Sequence, residues 1–127
     1  MTETLGLGPT LAGRLPTAGD EATPADPLLS EAVATDLADL FRALADPTRA
    51  RIVYALSQLE MTTSQLAELL EVGPPTVSQH LRLLRALRLV KTHRDGREVF
   101  YNLDDAHIRL LVSLSLTHLR ERPGNIN

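Results

Sequence analysis

The apolar residues between positions 63 and 90 recur at the spacing of two short helices separated by a turn. The first helix has an apolar side made of Leu66, Ala67, Leu69 and Leu70. The second has an apolar stripe at helical period, made of Val77, Leu81, Leu84 and Leu87. Val72 and Gly73 form the turn. Pro74 and Pro75 are tolerated after it, because N–H groups in a first helical turn have no intrahelical partner. The pattern predicts a helix-turn-helix.

The next segment, VKTHRDGREVFYNL at 90–103, predicts a β-hairpin. Asp95-Gly96 at its centre is a strong turn signal between two runs that favour strands. Arg94 and Arg97 flank this turn. A helix-turn-helix followed directly by a basic-tipped hairpin has the element order of a winged helix. The expected fold class is therefore mainly α with a small β-hairpin.

Two further helices precede this motif and one follows it. The first is expected to be capped by Ser30 and to have an apolar side made of Val33, Leu37, Leu40, Phe41 and Leu44. Asp46-Pro47 ends that helix and begins the next. Thr62 or Thr63 is expected to cap the helix that follows. Asp104 is expected to cap the last helix, at about 105–120. The predicted organisation is a disordered arm at 1–27, a winged helix-turn-helix domain at 28–122 and a tail at 123–127.

The exposed side of the second motif helix carries hydrogen-bonding and basic groups. They are Thr76, Ser78, Gln79, His80, Arg82 and Arg85. Such groups suit base edges and phosphates, so together with Arg94 and Arg97 they are candidate DNA contacts. The formal net charge is -3, but six basic and two acidic residues lie between Pro74 and Tyr101, which leaves -7 elsewhere. This asymmetry favours approach of the basic face to DNA. The apolar stripes alone are equally typical of two packed helices with an ordinary polar face.

Composition narrows the class of protein. At 127 residues the chain fits one domain, and without cysteine it has no disulfides and no thiolate metal ligands. No apolar run is long enough to span a bilayer, and the start lacks the pattern of a signal peptide. A cytoplasmic location is expected. No nucleophile stands at a recognisable spacing from a base, and no Gly-rich phosphate loop is present, so an enzyme is not expected.

The last helix carries four side chains that can bind a metal ion, Asp105, His107, His118 and Glu121. At ~100° per residue the two histidines lie on one face, but at a rise of ~1.5 Å per residue they are about 16 Å apart. Zinc ligands lie only about 2.0–2.2 Å from the metal, so one straight helix cannot close the site. Two antiparallel copies can, if Asp105 and His107 of one chain meet His118 and Glu121 of the other. Two imidazoles and two carboxylates suit zinc or cobalt, and nickel less well.

Spacing alone leaves simpler interpretations open. Asp105 can favour the helix dipole without binding metal. His118 and Glu121 can be an ordinary surface pair. Leu111 and Leu114 can form the seam of a helix pair that needs no metal.

The chain from about Leu37 to Glu121 resembles the ArsR/SmtB family of winged-helix metal-sensing repressors. The matching runs are LFRALADPTRARIVYAL, LLEVGPPTVSQHLRLLRALRLV and HRDGREVFYNLDDAHI. The resemblance implies that residues 74–87 form the DNA-reading helix. It also implies a last-helix metal site with the pattern Asp-x-His followed by His-x-x-His or His-x-x-Glu. Asp105-Ala106-His107 and His118-Leu119-Arg120-Glu121 match this pattern, which is most similar to the zinc-responsive branch.

The resemblance further implies a homodimer, joined through the first and last helices, that binds double-stranded operator DNA without metal. Binding of zinc, or of cobalt or nickel, releases the DNA and derepresses metal efflux or sequestration genes. In the family a ligand histidine also bonds a backbone carbonyl near the end of the recognition helix, which here implies a link from His118 to about Arg88. Many relatives carry a cysteine in the run that matches Glu60–Ser64, and this chain does not. Sensing through thiolates is therefore excluded.

Two other functions fit the same elements. One is a winged-helix repressor that answers a non-metal signal, with His107 and His118 structural. The other is a winged-helix adaptor for protein interactions, which the clustered arginines disfavour.

Overall fold

The computed structural model describes residues 26–123, so most of the predicted arm and tail lies outside the described residues. Its elements, in chain order, are α1 (Glu31–Leu44), α2 (Pro47–Gln58), α3 (Thr63–Leu70), α4 (Pro74–Ala86), β1 (Val90–Asp95), β2 (Glu98–Leu103) and α5 (Ala106–Arg120). This order confirms the predicted winged helix-turn-helix. By its internal contacts the chain divides into two units after Ala34. Within 26–123, no helix is long and apolar enough to cross a membrane.

Three helices begin at capping residues that the sequence predicted, Ser30, Asp46 and, of the two threonines that it left open, Thr62. The side-chain oxygen of each accepts a hydrogen bond from the backbone N–H three residues farther on. At Thr62 the cap is reciprocal, because the Gln65 side chain accepts from the Thr62 backbone N–H at 2.9 Å. Reciprocal capping satisfies two backbone donors at the start of α3.

The prediction that Asp104 caps the last helix is wrong by one residue. Asp105 is the cap, because its extended backbone (φ -154°, ψ 175°) brings Oδ1 to 2.9 Å from the N of His107 and 3.1 Å from the N of Ile108. Asp104 instead donates its backbone N–H to the carbonyl oxygen of Leu89 at 3.1 Å. This bond joins the start of α5 to the connection between α4 and β1.

The hairpin is antiparallel, with pairs from Val90 and Leu103 at its base to Asp95 and Glu98 at its tip. Gly96 has φ +65°, a conformation that glycine adopts without steric cost, and it forms the turn that the sequence predicted. At the base, Met61 extends the sheet by pairing with Tyr101. Two backbone hydrogen bonds of 3.1 and 2.8 Å join these residues. The wing is therefore attached to the loop between α2 and α3.

The core lies between α2, α3, α4 and the base of the hairpin. Its largest fully buried side chains are Ile52, Val53, Leu56, Leu66, Val77, Leu81, Leu84, Leu89 and Val90. Two leucines of the helix-turn-helix that were predicted on apolar sides are not buried, because Leu69 is 55% and Leu87 37% exposed. Arg88, just after α4, has φ +62°. The chain changes direction there, and the buried side chain at the end of α4 is Leu89 rather than Leu87.

Glu71→Gly is expected to stabilise the protein. Glu71 ends α3 in the left-handed region (φ 59°, ψ 45°), which strains a residue that has a Cβ atom. Glycine removes this strain but loses more entropy on folding, so the free energy of unfolding should rise by about 0.5–1 kcal/mol. Urea unfolding measures the change. As the matched control, Glu68→Gly inside α3 should destabilise by about 1 kcal/mol. Equal destabilisation by both substitutions would contradict the interpretation.

Candidate nucleic-acid interface and metal-ligand helix

The exposed side of α4 carries most of the candidate DNA contacts. Thr76, Ser78, Gln79, Arg82 and Arg85 are all exposed. Their orientation follows from the core, because Val77, Leu81 and Leu84 on the opposite side are at most 1% exposed. Five of the six predicted side chains on this helix therefore face outward on the same side.

An open cleft of about 550 Å³ separates α4 from the hairpin. It is lined by Ser78, Leu81, Arg82, Arg85, Ala86 and Tyr101. Two guanidinium groups and two hydroxyl groups thus border one cleft, and its lining residues in the described range include no acidic side chain. Guanidinium groups bind phosphate through several N–H donors, so the cleft suits a segment of nucleic-acid backbone.

Tyr101 is a residue of this cleft that the sequence reasoning missed. Strand alternation places Tyr101 on the same face of β2 as Leu103, which is 4% exposed and belongs to the core. That alternation could have indicated that Tyr101 points inward, toward α4. The wing arginines lie farther out, since Arg94 is near the end of β1 and Arg97 is in the turn, and both are exposed.

His80 differs from the other candidates on α4. Its side chain is only 20% exposed and lies against the corner between α1 and α2. Its Nδ1 is 3.3 Å from Arg49 Nη1, and its Nε2 is 4.0 Å from Asp46 Oδ2. The pKa of Asp46 is lowered, chiefly because the carboxylate accepts the backbone N–H of Arg49, with the charge of Arg49 acting in the same direction.

The candidate metal ligands lie at the two ends of α5. At the first end, Asp105 uses Oδ1 to cap the helix, and the pKa of its carboxyl group is lowered, chiefly by the hydrogen bond from the Ile108 N–H. His107 is 91% exposed, with Nδ1 at 3.6 Å from Asp105 Oδ1. At the other end, His118 and Glu121 are also exposed. Asp105 Oδ2 and His107 Nε2 make no hydrogen bond with other described residues.

The four ligands do not meet within one chain. Within residues 26–123, no three histidine, aspartate, glutamate or cysteine side chains come close enough together to hold a metal ion. This agrees with the separation of about 16 Å that a straight helix imposes. A site that uses both ends of α5 requires a second chain.

The outer face of α5 is apolar between these ends. Leu110 and Leu114 are 55% and 54% exposed, and Phe41 of α1 is 51% exposed. An apolar cavity of about 340 Å³ lies between α1, α2 and α5, with Phe41 and Leu119 in its lining. Exposed apolar residues at this density are typical of a surface that binds another protein chain.

Comparison with known proteins gives one consistent family. Residues 46–92 match the family described as bacterial regulatory protein, arsR family. The chain is 45% identical to the HTH-type transcriptional regulator KmtR of Mycobacterium tuberculosis, over 68% of this chain and 66% of that protein. It is 43% identical to a transcriptional repressor SmtB homolog of Synechocystis, over 69% of this chain and 67% of the relative.

A solved structure supports the same fold. It is a homodimeric winged helix-turn-helix DNA-binding domain from Mycobacterium bovis. It superposes with a TM-score of 0.68 at 25% identity, and the match covers 80% of this chain and 95% of that one. The family, the two relatives and the solved structure are all DNA-binding regulators, and none of them is an enzyme.

Tyr101→Phe is expected to weaken DNA binding. The change removes only the hydroxyl group at the cleft, so affinity should fall about three- to tenfold, the usual effect of one hydrogen bond. A phosphate contact carries no sequence information, so the loss should be the same on every duplex. Fluorescence anisotropy on labelled duplexes measures both quantities. Tyr54→Phe on α2 is the matched control and should leave affinity unchanged. A loss confined to one base sequence would contradict the phosphate assignment.

The stability that ionised Asp46 supplies is expected to disappear in acid. Its folded-state pKa lies below the 3.8 that is ordinary for aspartate. The stabilisation is therefore fully present above about pH 4 and is lost as the pH falls through the lowered pKa. Asp46→Asn can still cap α2 but cannot ionise. In urea unfolding at a series of pH values, the advantage of the natural protein over Asp46→Asn should be constant above about pH 4 and shrink below it. A constant difference in strong acid would contradict this assignment.

Proposed function

Since the chain belongs to the arsR family of bacterial regulatory proteins, we propose that it is a transcriptional repressor whose release from DNA is triggered by zinc. In this proposal the metal-free homodimer binds its operator through α4 and the wing. Zinc, or less favourably cobalt or nickel, binds between the α5 helices of the two chains and lowers the affinity for DNA. The observation that carries the proposal is the placement of two exposed ligand pairs at opposite ends of one helix.

The proposed homodimer joins the two chains through α1 and α5. The exposed apolar side chains of Phe41, Leu110 and Leu114 support this arrangement, because burying each large apolar side chain is worth about 1.5–3 kcal/mol. The similar domain from Mycobacterium bovis is itself described as homodimeric. An antiparallel pair of α5 helices brings the first turn of each helix beside the last turn of the other.

The donor groups suit zinc in this arrangement. Asp105 uses Oδ1 to cap the helix, so its Oδ2 is available as a metal ligand. The exposed His107 has Nε2 available as a second ligand. His118 and Glu121 of the second chain complete a set of two nitrogen and two oxygen donors. Four-coordinate zinc accepts such a set, and the absence of cysteine excludes a thiolate site. A zinc ion at each of the two sites would link the two chains, because its ligands come from both of them.

The route from α5 to the DNA-binding elements is short. Only two residues separate β2 from α5, and the Asp104 N–H bonds the carbonyl oxygen of Leu89 just after α4. A change in the spacing of the α5 helices therefore acts directly on the wing and on the end of α4. Arg88 lies at this junction, and we propose its carbonyl oxygen as the acceptor for the second nitrogen of His118. Coupling of this kind is reciprocal, so DNA must lower the affinity for zinc by the same factor.

Zinc titration into a preformed complex tests the proposal. Anisotropy of a labelled operator duplex should fall as zinc is added and recover with a chelator. The expected change in DNA affinity is about 5- to 150-fold, the usual range of allosteric coupling. His118→Ala should retain DNA binding and lose this response. His93→Ala, which removes a histidine from the wing, is the matched control and should still respond.

Two substitutions of Asp105 distinguish its proposed role as a metal ligand from its role as the cap of α5. Asn caps a helix as well as Asp does, whereas Ala does not, so Asp105→Asn should preserve the stability that Asp105→Ala loses. Both variants should need more zinc for release of DNA, because each lacks the carboxylate. A zinc response that is intact in Asp105→Asn and in His118→Ala would overturn the metal site. If zinc does not affect DNA binding by the natural protein, the chain is instead a winged-helix repressor that answers another signal.

A further inference from the structure

One connected set of hydrogen bonds links α1, α2 and α4. Arg49, in the first turn of α2, donates from Nε to the carbonyl oxygen of Ala43 at 2.7 Å and from Nη2 to that of Arg42 at 3.4 Å. Both carbonyls lie at the end of α1, where helix carbonyls lack intrahelical donors. The third nitrogen of the guanidinium, Nη1, lies 3.3 Å from His80 Nδ1 on α4. The Arg49 side chain thus connects its own helix, α2, to both α1 and α4.

The chemistry of this contact fixes the state of His80. A guanidinium group has five N–H donors and no acceptor, so Nδ1 of His80 must present its lone pair. The imidazole is then neutral, with its hydrogen on Nε2. Nε2 lies 4.0 Å from the Asp46 carboxylate. The negative charge of this carboxylate stabilises the partial positive charge of the Nε2–H group. Nδ1 is therefore directed toward Arg49, Nε2 lies on the Asp46 side at a distance too long for a hydrogen bond, and the side chain is only 20% exposed.

We propose that His80 is a positioning residue, which fixes the DNA-reading helix to the corner between α1 and α2 through Arg49, and that it does not read a base. Base reading requires a ring that is presented to solvent, whereas the His80 side chain is only 20% exposed, with Nδ1 at 3.3 Å from Arg49 and Nε2 at 4.0 Å from the Asp46 carboxylate. The neighbouring Gln79 and Ser78 are exposed and have no such inward contact among the described residues. This inference rests on the binding of DNA by α4 and is independent of any response to zinc.

The link also gives α1 a direct connection to α4. Arg49 is bonded to the last turn of α1 and to His80, so a displacement of α1 acts on the DNA-reading helix through one side chain. The hairpin and α5 are not part of this connection. His80 and Arg49 should therefore act on DNA affinity as a unit, and the effects of replacing them should not add.

The test measures metal-free DNA affinity in chelator, on a duplex selected by the natural protein and on a panel with single base-pair changes. His80→Leu removes the acceptor and should weaken binding about tenfold on every duplex, as expected for a lost hydrogen bond to a charged group. His80→Asn places an amide oxygen near the position of Nδ1 and should bind within about twofold of the natural protein. Arg49→Lys should also weaken binding, and the double variant should bind no worse than the weaker single variant. Gln79→Ala, at the exposed residue next to His80, serves as the comparison. It should change which duplexes of the panel the protein binds most tightly.

Three results would overturn the proposal. The first is a change of preference at one base pair in His80→Leu, which would make His80 a base-reading residue. The second is equal weakening by Asn and Leu, and the third is additive effects of His80 and Arg49. Thermal unfolding of each variant shows whether it is folded at the assay temperature. If His80→Leu is not folded, His80→Gln replaces it, because its amide oxygen lies nearer the position of Nε2 and cannot meet Arg49 in the same way.

Discussion

The burial of one side of α4 is the constraint on which the rest of the structure depends. Val77, Leu81 and Leu84 are almost completely removed from solvent between α2, α3 and the base of the hairpin. Each such side chain contributes about 1.5–3 kcal/mol, more than a typical exposed polar contact provides. The core therefore fixes the rotation of the helix about its axis, and the polar side must face outward whether or not DNA is present.

Local sequence patterns predicted this arrangement well where the determining signal is local. The helical period of α4, the capping residues of α1, α2 and α3 and the Asp-Gly turn each depend on a few adjacent residues, and all were confirmed. The cap of α5 was misplaced because two adjacent aspartates can both cap, and only the backbone conformation distinguishes them. Leu87 was predicted on the apolar stripe of α4 because nothing in the sequence indicates that Arg88 adopts a left-handed conformation.

The parts of the site that the sequence did not predict depend on residues far apart in the chain. A helical projection places His80 on the exposed side with Gln79, but Arg49, 31 residues earlier, holds its ring inward. Tyr101 enters the cleft only because the hairpin folds back onto α4. The ligand pairs of α5 could be recognised from their spacing, whereas their assembly concerns a second chain and stays a proposal.

The same face of α5 carries both its exposed leucines and its candidate ligands, which makes association and metal binding physically connected. Any arrangement that buries Leu110 and Leu114 against a second α5 also fixes how the ends of the two helices lie relative to each other. The ligands then need little further ordering to bind a metal ion, and preorganisation of this kind reduces the entropic cost of binding.

The pairing of Met61 with Tyr101 has a geometric consequence for the wing. It holds the hairpin at its base, whereas Arg97 lies four residues beyond Tyr101, about 13 Å along the strand. A rotation of the base by about 10° therefore moves the tip by about 2 Å over this distance. Hydrogen bonds weaken steeply over such a displacement, since donor and acceptor must lie about 2.7–3.2 Å apart. A small rigid rotation of the core, without any rearrangement inside the wing, would thus be enough to break a DNA contact of the kind proposed for the wing.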